Sequence, residues 1–219
     1  MISLAYGLLC ASLLALGYWL WQRRSGLSEN ARGALTATLL ALLLPAISSL
    51  LLALQSLELG DVVTHTQRIF GLAAQSISLP LLGLAALYLA FGLRWQPGNW
   101  GRILLGLMAA FELTRRMELQ HGYQWSISLV GLLLLVLSCM LILRRDLRPM
   151  LTGAACCLGA LAPLFSPGAP TLAGLLDSSA LVLWLFPALL GAGLTVGLLS
   201  EQAHNRSSDA LSAPATERT

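Results

Sequence analysis

The stretch Arg102–His121, RILLGLMAAFELTRRMELQH, decides how this chain folds. Its uninterrupted apolar run, Ile103–Phe111, has only nine residues. A helix needs about 20 to cross a hydrocarbon core of roughly 30 Å. Glu112, Arg115, Arg116 and Glu118 follow the run directly. Whether this segment crosses a bilayer fixes the side on which everything after it lies, and the arginines elsewhere in the chain decide that.

On either side of it lie longer apolar segments: Ile2–Trp21, Ala34–Leu54, Ile69–Leu93, Trp125–Leu143, Met150–Phe165 and Ser179–Leu199. The chain has 219 residues, 57% hydrophobic and 11% charged. A soluble domain carries about 25% charged residues, so a polytopic, all-α membrane protein is expected. Strict two-residue alternation is absent, which argues against a β-barrel. None of the 13 basic residues is lysine. Arg23, Arg24 and Arg32 fall between the first and second spans, and Arg94 and Arg102 between the third and fourth. Arg144, Arg145 and Arg148 fall between the fifth and sixth, and Arg206 and Arg218 in the tail.

If Arg102–His121 crosses, these ten share one compartment; if it does not, at least three change sides. The positive-inside rule then gives seven transmembrane helices with the N-terminus out and the C-terminus in. Residues 1–199 form the expected seven-helix bundle, and residues 200–219, rich in Ser, Ala, Thr and charge, a disordered cytoplasmic tail. No basic residue precedes the first span, so it reads as a retained helix rather than a cleaved signal. The localisation implied is a bacterial inner (plasma) membrane, multi-pass. Basic residues placed this way are orientation signals, and nucleic-acid binding is not expected.

Pro45, Pro80, Pro163 and Pro187 lie within spans as kink formers. Cys10, Cys139, Cys156 and Cys157 lie in apolar stretches and read as small buried hydrophobes. Small residues four apart, Gly153 with Cys157, Ala155 with Gly159 and Gly193 with Gly197, mark the sixth and seventh spans for close packing.

Functional expectations centre on the fourth span. A rise of about 1.5 Å per residue from Arg102 puts Glu112 some 15 Å deep and the two following arginines about 20 Å deep. Ionised groups there are costly unless paired or wetted. Glu112 has Arg115 and Arg116 at i+3 and i+4, and Arg115 has Glu118 at i+3, so the helix can pair its own charges. Such a helix is expected to turn its charges toward the bundle interior or a wet cleft. Before the third span, Glu58, Asp61, His65 and Arg68 form a second polar row on the same outer side.

The leading expectation is a binding, sensing or transport-related protein. Its periplasm-facing polar pocket would be built by Glu112, Arg115, Arg116 and Glu118, with His65, Arg68 and His121 at the mouth. A small anion or a proton is the expected ligand, since arginine forks suit carboxylates and phosphates. The alternative is a non-catalytic accessory subunit of a larger membrane complex, with a membrane protein and the lipid bilayer as partners. His65 and His121 lie in no metal-ligand spacing, so no metal or cofactor is expected. No GxSxG, HExxH or phosphate loop occurs, which argues against an enzyme. The seven-span, N-out topology resembles that of microbial rhodopsins, and Ser78-Leu79-Pro80-Leu81-Leu82 is similar to part of their third helix. Retinal attachment needs a lysine, and the chain has none. A retinal pigment is excluded.

Overall fold

The computed structural model of the chain describes residues 2–27, 29–55, 61–93, 95, 98–117, 120–142, 148, 151–154 and 179–212. Their elements are α1 (Ile2–Arg24), α2 (Glu29–Gln55), α3 (Asp61–Ala73), a π-helical turn (Ala74–Ser78), α4 (Leu79–Phe91), α5 (Gly98–Arg116), α6 (Gln120–Ile142) and α7 (Ser179–Ser212). No strand occurs among the described residues. The all-α class is therefore observed. Two stretches, Ala31–Leu54 and His65–Phe91, are long and apolar enough to cross a membrane, and Ser126–Leu141 is a shorter apolar helix. Two rather than seven described stretches meet that measure. α5 carries Arg102 near its start and Glu112, Arg115 and Arg116 at its end, and most of the sixth expected span lies outside the described residues.

α1 and α2 form an antiparallel hairpin. On α1 the buried residues Tyr6, Leu9, Leu13, Leu16 and Leu20 recur every three or four positions, one stripe of a 3.6-residue helix. The facing stripe on α2 is alanine-rich: Ala31, Ala34, Ala41 and Ala46, with Leu35 and Leu42 between. The connection is held by Arg32, whose Nε donates to the Leu27 carbonyl at 3.0 Å and Nη2 to that of Ser25 at 2.9 Å. Carbonyls of the connection, which no helical ladder pairs, are satisfied in this way.

The third expected span is a continuous helical run, α3 through α4, relieved by the π-turn. Proline lacks an N–H and crowds the carbonyl four residues back. The wider turn at Ala74–Ser78, immediately ahead of Pro80, absorbs that misfit. α4 ends at Gly92, whose φ of 64° closes a left-handed cap, with Gly92 N–H donating to Leu89 O and Leu93 N–H to Tyr88 O.

α4 crosses α6 at a glycine pair, Gly83 on Gly131. A methyl on Gly131 would stand 2.7 Å from the Leu79 carbonyl carbon and the Pro80 nitrogen. Backbone lies against backbone here, and only hydrogen fits. α7 packs on α1, α2 and α4. A methyl on Gly193 would stand 2.9 Å from Leu16 Cδ2, one on Gly197 would stand 2.9 Å from Leu20 Cδ2, and Arg23 is ion-paired to Glu201. Contacts climb together on both helices, so α1 and α7 run parallel. Thr152, in the short described piece at 151–154, shares a 2.8 Å hydrogen bond with Thr195 on α7.

Three sequence expectations meet these facts directly. Small residues on the last helix do mediate close packing, at Gly193 and Gly197. Cys10 and Cys139 are buried, while Cys156 and Cys157 lie outside the described residues. The last helix does not stop at Leu199; it continues to Ser212, well into the segment expected to be disordered. Glu201, Gln202 and Ala203 are good helix formers, and Ala203 packs on the core. Local propensity and the Arg23 contact outweigh the polar composition on which disorder was expected.

Candidate functional site

α5 is anchored at its start and loosely held along its length. Trp100 is buried beside Tyr88 and Trp95, with ring centroids 5.4 Å and 5.9 Å away. The Tyr88 hydroxyl accepts the Trp95 backbone N–H at 3.3 Å. Trp95 and Trp100 pack with Tyr88 as an aromatic box. Beyond it, Ile103, Leu104 and Leu107 continue the contact stripe against the core. α5 touches α6, the π-turn and α2.

That stripe fixes where the charges go. Arg116 is nine residues past Leu107, a rotation of about 180° around the helix. The Glu112–Arg116 pair forms as its spacing predicts, Nε to Oε1 at 3.1 Å. It does so on the outer face, with side-chain exposures of 42% for Glu112 and 76% for Arg116. Leu105 is exposed on the same face, Met108 and Leu113 are exposed on its two flanks, and Met117 is exposed just past the helix end. The inward-facing arrangement expected for this pair is not seen among the described residues. Apolar packing of Trp100, Leu104 and Leu107 set the rotation, and the charges took the remaining face.

Of the other expected site residues, only His65 has a described side chain. His65, on α3, is exposed and makes no hydrogen bond or ion pair among the described residues. Arg68 and Arg115 lie in α3 and α5, and His121 in the first turn of α6, with side chains outside the described set. Glu118 lies outside the described residues. No group of three or more metal-ligating side chains occurs among the described residues. α3 packs chiefly on α2, while α5 lies against α6 and the π-turn.

Two polar features escaped the sequence reading. Inside the bundle, Ser48 and Ser78 are buried with hydroxyls that have no hydrogen-bond partner among the described residues. Most other interior hydroxyls donate to carbonyls three or four residues back, as Thr38, Ser49, Ser138 and Ser200 do. The second is a cleft of about 550 Å³ between α1, α2 and α5, where Arg24 and Arg32 meet Trp100 and leucine side chains. Those arginines were read only as orientation signals. The signal was available: a connection of four residues between two apolar helices must bring both arginines to one end.

Comparison with protein-family models, with curated proteins and with solved structures finds no match to this chain.

Proposed function

We propose that this chain is an inner-membrane protein of seven spans, N-terminus out, acting as a non-catalytic accessory subunit. It docks a larger membrane complex through the outer face of α5. The membrane reading draws on an inverted surface. Leu4, Leu8, Leu105, Met140 and Leu151 are each about two-thirds exposed or more, whereas Thr38, Ser48, Ser49, Ser76, Ser138 and Thr195 are buried. Soluble proteins rarely expose contiguous apolar area on that scale. The parallel register of α1 and α7 supports an odd number of crossings between them, five in a seven-span chain. It brings Arg23, Arg24, Arg32 and Glu201 to one end, as an arginine-rich cytoplasmic face requires.

The observation that carries the accessory reading is the Glu112–Arg116 pair set among exposed Leu105, Met108, Leu113 and Met117. Facing hydrocarbon, such a pair costs several kcal/mol, on the order of 3 or more per charge at mid-span. A neighbouring protein helix offering polar groups removes that cost. Photo-crosslinkers placed at Met108 and at Leu113, with Leu4 on α1 as control, test this. One protein species cross-linked from α5 only, and retained in stoichiometric amount on purification, supports the proposal. Lipid adducts alone from all three positions refute it.

The second reading, a periplasm-facing pocket for a small anion or a proton, rests on the same pair at mid-span. There Glu112→Gln would alter solute response in reconstituted vesicles without lowering thermal stability, and the isolated chain would respond without a partner.

A further inference from the structure

The cleft at the arginine-rich end has the two-part chemistry of an amphiphile site. Arg24 and Arg32 stand at its rim, and Leu40, Leu81, Leu104 and the Trp100 ring line it. The adjacent Arg23 is neutralised by Glu201 and also stacks on Trp19, 4.1 Å from guanidinium to ring centroid. Arg24 has no carboxylate among the described residues; its only partner there is the Trp21 ring at 5.1 Å. A ring face stabilises a cation without cancelling its charge. Arg32 spends Nε and Nη2 on the Leu27 and Ser25 carbonyls. Its position is thereby fixed, while Nη1 has no partner among the described residues. Two positive groups, one of them immobilised, thus stand over an apolar trough.

We infer that this cleft holds an anionic phospholipid, its phosphodiester on Arg24 and Arg32 and an acyl chain along Leu40, Leu81 and Leu104. The two rim guanidiniums select the headgroup: they favour a net-negative phosphodiester over a zwitterionic lipid that brings its own cation to the same rim. The apolar wall selects a lipid over a free anion, since inorganic phosphate gains nothing from leucine. Basic pockets between helices on the cytoplasmic side are suited to such headgroups. The inference rests on the membrane reading above, and specifically on this end facing the cytoplasmic leaflet.

The full-length protein in neutral detergent, titrated with dihexanoyl phosphatidylglycerol, dihexanoyl phosphatidylcholine or inorganic phosphate, provides the test. Saturable phosphatidylglycerol binding is expected, with phosphatidylcholine and phosphate each at least about fivefold weaker. R24Q should weaken phosphatidylglycerol about fivefold. A side chain at Gly101, which also lines the cleft, meets nothing within 4 Å where its Cβ would begin. Gly101→Leu therefore starts its side chain in open space at the cleft wall, and should abolish lipid binding while the thermal transition stays in place. Equal affinity for the two lipids, or R24Q binding like wild type, overturns the inference. Phosphate binding as tightly as phosphatidylglycerol and indifferent to Gly101→Leu also overturns it, in favour of a simple anion site. Side-specific cysteine labelling of intact cells reads the topology separately, so loss of lipid binding with correct sidedness refutes the cleft alone.

Discussion

Replacing Gly131 by alanine puts one methyl group where α6 crosses α4, and the structure sets its effect. The new carbon would lie 2.7 Å from the Leu79 carbonyl carbon and from Pro80 N, and 2.8 Å from Leu79 O. Carbon atoms rest comfortably at about 3.5–4.0 Å, so the shortfall is about 1 Å. The obstacle is backbone, stiffened by Pro80, and cannot swing aside as a side-chain tip would. α6 must therefore back away, loosening Leu135 and Cys139 one and two turns further along, both buried. Overpacking of this kind costs about 1–3 kcal/mol, while glycine to alanine inside a helix returns up to about 1 kcal/mol. The clash is with backbone, so the upper half of that range applies, and a net loss of about 1–2 kcal/mol is expected. At about 2–4 °C per kcal/mol for a chain of this size, Tm should fall by about 2–8 °C. Gly106 on α5 is the internal control, because a methyl there meets nothing within 4 Å. Gly106→Ala keeps the propensity gain alone and should leave Tm unchanged or raise it. Thermal unfolding in detergent, followed with a fluorophore that reacts with newly exposed thiols such as Cys10 and Cys139, measures both. A Gly131→Ala protein at least as stable as wild type, or both variants shifting the same way, would refute the crossing described here.

In a chain whose four cysteines are replaced by serine, the pair Arg23→Cys and Glu201→Cys should cross-link rapidly under mild oxidation. Ser3→Cys with Glu201→Cys should not, and the opposite result would show α1 and α7 running antiparallel. Glu201→Gln should cost less than about 1 kcal/mol, because both partners are some two-fifths exposed. The swap of Arg23→Glu with Glu201→Arg should recover that loss in a thermal melt; no recovery would mean the contact is one of packing rather than charge. Single cysteines at Ser25 and at Met117 should react with an impermeant maleimide from opposite sides of the membrane. Equal reactivity from one side would sink the seven-span topology.

The helices were legible because an apolar run has few alternatives: Ile2–Trp21 and Ala34–Leu54 anticipate α1 and α2 to within a few residues at each end. The π-turn was only half legible. Pro80 announces a disturbance in the helix, but whether a chain kinks or widens depends on what packs there, and α4 lies hard against Gly131. Helix α5 shows the limit more sharply. Charge cost alone turned Glu112 and Arg116 inward, yet Trp100, Leu104 and Leu107 already claimed the inner face by their spacing. Counting residues from Leu107 to Arg116 would have placed the arginine outside before any coordinates existed. The polar row on α3 meets a different limit, since sequence shows which residues share a side of the bilayer but not which flank of the bundle each helix occupies.

Adjacent arginines show why topology and chemistry need separate arguments. Arg23 and Arg24 carry the same charge at the same depth and count equally toward orientation. A step of one residue turns the helix about 100°, which sends Arg23 toward α7 and Glu201 and Arg24 toward the cleft with Arg32. One is therefore cancelled within the fold, and the other keeps its charge for whatever enters the cleft. The same rotation governs α5, where the pair at Glu112 and Arg116 satisfies itself at 3.1 Å and still faces outward. Charge that a fold neither cancels nor wets must be matched from outside. On the proposed reading an anion meets that need at the arginine-rich rim, while the α5 pair, already matched in charge, asks a neighbour only for polar groups in place of hydrocarbon.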